Sequence, residues 1–314
     1  MLQTILGAGG VIGYHTALEL HRMGIPVRLV SRNPKKIVES DELFSADLLN
    51  AEAVDRAVEG SDVVYLTAGL KYDTHTWQDQ WPKVMRNTIE ACKKHNTKLV
   101  FFDNVYCYGE VSGVMSESTP IHASSAKGDV RAKVLDMLFT EMRTGKLNAL
   151  VARSADFYGP DTPLSFVQVM VFDNLHKGKS PQWMMSDKFL HSFTYTPDAG
   201  RATALLGNTE DAYGQTWHLP TDPNTLTGAQ FMEYSSKVFG QNKKPTILPK
   251  WMLRVLGFFI PAIGESIEML YQFDRDYVFE SNKFFQRYPD FKHLTYQQGI
   301  KEIAANYDKS IRVV

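Results

Sequence analysis

The tightest constraint on this chain lies at its start. A short apolar run, Leu2-Gln3-Thr4-Ile5-Leu6, leads directly into Gly7-Ala8-Gly9-Gly10-Val11-Ile12-Gly13. A helical pattern follows, with Ile12, Thr16, Leu20 and Met23 on one face before Gly24 and Pro26 close it. Glycines at 7, 10 and 13 between a strand and a helix supply a tight turn, a backbone without side chains, and close helix–strand packing. The helix start adds free amides, those of Val11 and Ile12 among them, and a positive dipole end. Such a turn is built to receive a pyrophosphate, so the expected ligand is a nicotinamide dinucleotide.

The rhythm of the next 150 residues agrees. Apolar runs at Val27–Val30, Val63–Thr67, Leu99–Phe102 and Ala149–Ala152 read as strands. Between them fall a helix with Ala53, Val54, Ala57 and Val58 on one face and longer helices near 79–95 and 128–144. Strands separated by helices of this size pair in parallel through right-handed crossovers. Nearly pure apolar strands fit a sheet covered on both faces. The fold expected is α/β, a Rossmann-type doubly wound parallel sheet, with a smaller C-terminal substrate lobe. Residues 1–155 form the dinucleotide-binding domain in this reading. Residues 156–314, broken by Pro/Gly-containing stretches, finish the sheet and add the lobe.

The second strand ends Ser31-Arg32-Asn33-Pro34-Lys35-Lys36. An NAD site usually places an acid here to accept from the ribose 2′-hydroxyl. Ser31 occupies that slot, and the Arg32 guanidinium suits a 2′-phosphate, with Lys35 or Lys36 assisting. NADP is therefore the expected cofactor, with NAD the alternative.

With 314 residues, net charge −1, 44% hydrophobic residues and two cysteines, Cys92 and Cys107, the composition is ordinary. It gives no reason to expect nucleic acid or a membrane as partner, a disulfide framework or a metal site. A cytoplasmic setting and a small-molecule substrate are expected. The apolar segment Trp251–Ile263 is too short to span a bilayer. Trp77, Trp81 and the stretch Trp251–Phe273 fit either core packing or a cap over a cleft holding a hydrophobic substrate.

Several stretches together resemble the extended short-chain dehydrogenase/reductase family, the group of NAD-dependent epimerases and dehydratases. They are GAGGVIG at 7–13, Asp47-Leu48, DVVYLTAG at 62–69, RNTIEACKKH at 86–95, LVFFDNVYCYG at 99–109, ARSADFYGP at 152–160 and HSFTYTPDAGRA at 191–202. The resemblance implies that Asp47 and Leu48 border the adenine. It also implies that Ala68 and Gly69 lie along the cofactor, that Phe157 sits near the nicotinamide, and that the helices near 79–95 and 128–144 can form a homodimer.

The chain departs from the family at the reacting end. The family has a Ser or Thr after the fifth strand and a Tyr-x-x-x-Lys on the next helix. Here Asn104 takes the Ser/Thr place. One register puts Asp129 and Lys133 at the Tyr and Lys positions, with Lys133 also a cofactor contact; another uses Lys127, leaving Ala123 four residues earlier. Neither contains the tyrosine. Tyr106, Tyr108 and Tyr158 are the phenols available to replace it, with Tyr106 nearest Asn104. The family's Arg-Asp-Phe, whose arginine grips a diphosphate, is replaced by His191-Ser192-Phe193, a poorer clamp. The resulting expectation is an NADP-dependent carbonyl or enone reductase or related dehydrogenase. Its alternatives are a non-catalytic cofactor sensor and an NAD-dependent sugar-nucleotide epimerase or dehydratase.

Overall fold

A computed structural model describes residues 2–307. The chain begins with β1 (Leu2–Leu6), α1 (Val11–Arg22), β2 (Val27–Ser31) and β3 (Glu42–Ser45). It returns through α2 (Ala51–Val58) to β4 (Ser61–Leu66), then α3 (Thr74–Lys94), β5 (Lys98–Asp103), α4 (Ala126–Arg143) and β6 (Ala149–Arg153). The later half holds β7 (Asp156–Tyr158), β8 (Phe193–Tyr195), α5 (Thr196–Gly207), β9 (Thr216–His218), α6 (Gly228–Val238) and α7 (Lys250–Phe259).

Seven strands form one sheet in the order β9-β6-β5-β4-β1-β2-β3, and every pairing is parallel. The chain winds outward from β1 through β2 to β3, then crosses back to β4 on the other side of β1. That reversal is the topological switch point, where a crevice opens beyond the strand ends. One apolar core packs α2, α3 and α4 against one sheet face, and a second packs α1 and α5 against the other. A third core, built from residues between Tyr158 and Ile303, lies under α6 and α7. This is the doubly wound Rossmann architecture.

Local chemistry sets the helix starts. The helix expected near 79–95 begins at Thr74 because the Asp73 side chain caps it, accepting from the Thr76 amide at 2.8 Å, and it carries Pro82 within. The helix expected near 128–144 begins at Ala126, capped by Ser125, which accepts from the Gly128 amide at 3.0 Å. All four apolar residues expected on the face of α2 are buried, whereas Met23 ends α1 exposed.

The carboxyl end of the sheet is pinned by a buried ion cluster. Asp103, at the end of β5, accepts from Arg131 Nε at 2.8 Å and from Arg153 Nε and an Arg153 terminal nitrogen at 3.0 and 2.9 Å. All three side chains are buried. The Arg131 guanidinium lies over the rings of Trp81 and Phe101, and that of Arg153 over Tyr108. One carboxylate thus ties α4, β5 and β6 beside the loop that carries Asn104. Asp103→Ala strands two buried guanidiniums without their counter-ion and is expected to lower stability by about 3–5 kcal/mol. Urea unfolding of the variant against the wild type checks this.

Candidate active site

Two of the three loop glycines are demanded by the chain's own packing. Gly7 has φ +97°, and a Cβ there would lie 2.4 Å from the Cα of Ala68, where β4 exits. A Cβ on Gly13 would meet Ala8, Gly7 and Thr67 atoms at 3.0 Å. Gly10 differs. Its φ is −94°, open to any residue, and a Cβ would have only ordinary contacts at 3.5 Å or more. No side chain caps the α1 N-terminus at Gly10. The amides of the first turn are therefore left without a side-chain cap, beside the half-exposed Ala68 and exposed Gly69. A dinucleotide pyrophosphate fits there.

The neighbouring positions line the same strand ends. Ser31 ends β2, and Arg32 is exposed, with its carbonyl accepting from Ser45 Oγ at 2.8 Å. No ion pair engages the Arg32 guanidinium among the described residues. Lys36, by contrast, is committed to Glu39 at 2.7 Å. Asp47 is exposed and folds onto the Leu49 amide, while the Leu48 carbonyl accepts from Asn87 Nδ2 at 2.9 Å. Asn87 thereby has a structural partner. Phe157 is half-buried, its ring tilted 5.8 Å from that of Phe102.

At the other end, the structure separates the two lysine registers. Asp129 and Lys133 are exposed on the outer side of α4. Lys127 is fully buried in the first turn of α4, with Nζ near Thr74 Oγ1 (2.8 Å), the Glu265 carbonyl (2.9 Å), Glu265 Oε2 (2.6 Å) and Glu268 Oε1 (3.0 Å). Its ammonium also lies 4.6 Å from the centre of the Tyr72 ring. Asp129 and Lys133 stay outside the Lys127 cluster.

Sequence reasoning missed Glu265 and Glu268. Glu268 also accepts from the Ala126 amide at 2.7 Å, and Glu265 from the Thr74 amide at 2.9 Å, so the pair caps α3 and α4 as well as holding Lys127. Burial pushes the Glu265 carboxyl up, but hydrogen bonds from Lys127 and Thr74 outweigh it and hold it below the usual range. The available signal was two acids three residues apart after an acid-free stretch; nothing local tells that they reach α4.

Of the three candidate phenols, two are structural. Tyr158 is buried among the Phe193, Tyr195 and Phe231 rings. The Tyr108 hydroxyl is hydrogen-bonded with His218 Nε2 at 2.7 Å and donates to the Ser116 carbonyl at 3.1 Å. Tyr106 stands closer to the lysine cluster, with its ring stacked on Trp77 at 6.1 Å and its amide donating to Asn104 Oδ1 at 3.1 Å. The Asn104 oxygen is therefore used locally, and only its amino group is free for a ligand. Burial pushes the Tyr106 phenol well above its ordinary value, reinforced by Tyr72 and Asp156. Such a phenol stays protonated, and its hydroxyl faces that of Tyr72. Burial also raises the phenols of Tyr271 and Tyr277.

His191 is not aimed into a cleft. It is buried, paired with Asp156 Oδ2 at 2.9 Å and stacked against Phe193, Phe273 and Tyr277. Trp77, Trp81, Met269 and Phe273 likewise belong to the cores, while Phe258 and Phe259 are exposed. A separate groove lined by Arg201, Arg287, Tyr288 and Phe291 shares none of these residues, and its arginines pair with Asp198 and Asp211.

A doubly wound sheet with an uncapped helix start at its switch point defines a dinucleotide-binding protein of the Rossmann class. Residues 4–218 match the model of the NAD dependent epimerase/dehydratase family, and the chain belongs to that family of oxidoreductase-type enzymes. No curated protein matches the sequence. Among solved structures, UDP-glucose 4-epimerase from Thermotoga maritima, with UDP-glucose, is 17% identical with TM-score 0.82, covering 98% of this chain and 99% of that one. The Thermus thermophilus UDP-glucose 4-epimerase complex with NAD gives 18% identity, TM-score 0.79 and coverage of 99% and 100%. The Bacillus anthracis dTDP-glucose 4,6-dehydratase complex with NAD gives 17%, 0.79, 98% and 97%. At these identities the likeness is one of fold.

The Tyr108–His218 contact carries a pH signature. His218 Nδ1 donates to the Glu280 carbonyl at 2.9 Å, and Nε2 faces the Tyr108 hydroxyl, which also lies 3.1 Å from the Ser116 carbonyl. Burial, helped by Arg153, lowers the His218 pKa from 6.5 to about 3. The unfolded chain therefore binds the extra proton first, and stability is full above pH 6.5 and falls as pH drops toward about 3. His15, lowered to about 4 by burial and Arg22, acts in the same direction. Relative to His218→Gln, the wild type is expected to lose roughly 1–2 kcal/mol more between neutral pH and about pH 5, read from denaturation at each pH.

Proposed function

We propose that this protein is a nicotinamide-dinucleotide oxidoreductase of the epimerase/dehydratase family that prefers NADP(H) and acts on a carbonyl or alcohol substrate lacking a nucleotide diphosphate. The carrying observation is the turn after β1, where Gly7 and Gly13 serve internal packing while Gly10 leaves the helix start uncapped. In this reading Gly7, Gly10, Val11, Ile12 and Gly13 hold the pyrophosphate. Ala68 and Gly69 flank the cofactor, Asp47 and Leu48 border the adenine, and Phe157 lies toward the nicotinamide. When bound, the nicotinamide supplies or accepts the hydride.

The chain's own residues then have three tasks. Arg32, exposed and without an ion pair, takes the ribose 2′-phosphate, and Ser31 hydrogen-bonds beside it. Tyr106 and the free amino group of Asn104 orient the substrate oxygen and stabilise charge developing on it. Lys127, clamped by Glu265 and Glu268, fixes the floor on which Tyr72 and Tyr106 rest. The exposed Asp129 and Lys133 have no task here.

A second reading, sugar-nucleotide epimerisation or dehydration with tightly held NAD, draws support from the family and from what the titles of the neighbouring structures name. The buried, ring-stacked His191 weighs against it, because it offers no guanidinium to a diphosphate. NAD released on denaturing the purified protein favours this second reading.

Calorimetric titration with NADPH and NADH tests the proposal. Arg32→Ala is expected to weaken NADPH binding about 10- to 100-fold, the scale of one charge-assisted hydrogen bond, and NADH by much less. Equal losses for both overturn the NADP preference.

A further inference from the structure

The helix α7 carries two apolar faces. Leu253 is buried in the third core and anchors one of them. Opposite it, Trp251, Val255 and Phe258 recur at helical spacing with Phe259 beside them, and all four face solvent; Phe258 is 86% and Phe259 75% exposed. Ile260 extends the patch at 44%. A helix on a globular surface normally turns charge outward. A contiguous exposed aromatic and aliphatic face instead marks a docking surface.

The charges around it identify the partner. Lys243, Lys244, Lys250 and Arg254 are all exposed, and none makes an ion pair among the described residues. From Gln241 to Gly264 the sequence has no Asp or Glu, although the whole chain carries 35 acids against 34 Lys and Arg. Lys250 and Arg254 thus stand on the same helix as the exposed rings, and Lys243 and Lys244 precede it in the chain. Tryptophan and phenylalanine beside lysine and arginine on a short helix are the make-up of an element lying in a bilayer interface, rings among the acyl chains and cations at anionic headgroups. A second copy of this chain is a poorer occupant, since a two-fold contact on this face sets like cations against one another. No described helix is long and apolar enough to cross a membrane. A contact with a bilayer through this face is therefore with its surface.

We propose that α7 and the segment through Ile260 form a peripheral docking surface for anionic lipid bilayers. The inference is independent of the cofactor reading.

The test is co-sedimentation of the purified full chain with phosphatidylcholine vesicles, with and without phosphatidylserine. The protein is expected to pellet with the phosphatidylserine-containing vesicles and to be released as salt rises. Lys250→Ala and Arg254→Ala should each weaken partitioning about fivefold. Phe258→Ser/Phe259→Ser should abolish it while keeping the wild-type melting temperature, because both rings are exposed. Equal pelleting with pure phosphatidylcholine overturns the anionic-lipid assignment, as does undiminished pelleting of the double variant. A chain that stays in the supernatant with both vesicle types overturns the proposal. If it also forms a concentration-dependent dimer that the double variant loses, the surface belongs to a second copy.

Discussion

The molecule is organised by one close approach, that of the turn after β1 to the exit of β4. At Gly7 the two backbones come so near that a methyl group would sit 2.4 Å from the Ala68 Cα. Parallel neighbours whose connections leave in opposite directions create a crevice at their carboxyl ends. Gly7 lets that crevice close tightly at its base. Gly13 brings α1 down onto the same point, so the α1 N-terminus is aimed across the crevice rather than away from it. The direction of the first-turn amides, and with it the place of an anionic ligand, follows from that contact.

The opposite end of the crevice is governed by charge. Asp103 gathers Arg131 and Arg153, which fixes α4 against β5 and β6. The first turn of α4 then presents Lys127 inward, where Glu265 and Glu268 neutralise it. A buried ammonium left without such partners would be expensive, and paired this way it becomes a tie between α3, α4 and the segment after α7. Four residues before this lysine stands Ala123, so no phenol is supplied from there. Phenols approach the lysine cluster from elsewhere, Tyr72 from the loop before α3 and Tyr106 from the loop after β5. Burial keeps both protonated, which favours donating hydrogen bonds over shuttling protons.

Sequence made the architecture legible where the signal is local. The apolar strands, the face of α2 and the glycine turn each depend on residues within a few positions of one another. The strand after Pro26 and its Arg32 follow from the same pattern. The different surroundings of the two lysines were not legible, because Lys127 and Lys133 sit six residues apart on one helix and no tyrosine accompanies either. The start of α4 is set by the Ser125 cap and by the close approach of Gly128 to the Tyr106 carbonyl, where a Cβ would lie at 2.6 Å. Glu265 and Glu268 stayed invisible for a related reason: they meet Lys127 across 138 and 141 residues. His191 reads from sequence as a weakened clamp, yet its burial among three rings follows only from how β7, β8 and the segment near Tyr277 come together.

The central claim is that the uncapped helix start after β1 receives a dinucleotide. Amide hydrogen exchange with and without saturating NADPH or NADH tests it at the residues concerned. The account predicts slowed exchange from Ala8 through Ile12, with a second protected patch at Ala68 and Gly69. Unchanged exchange there with both nucleotides, or protection confined to another surface, would contradict it.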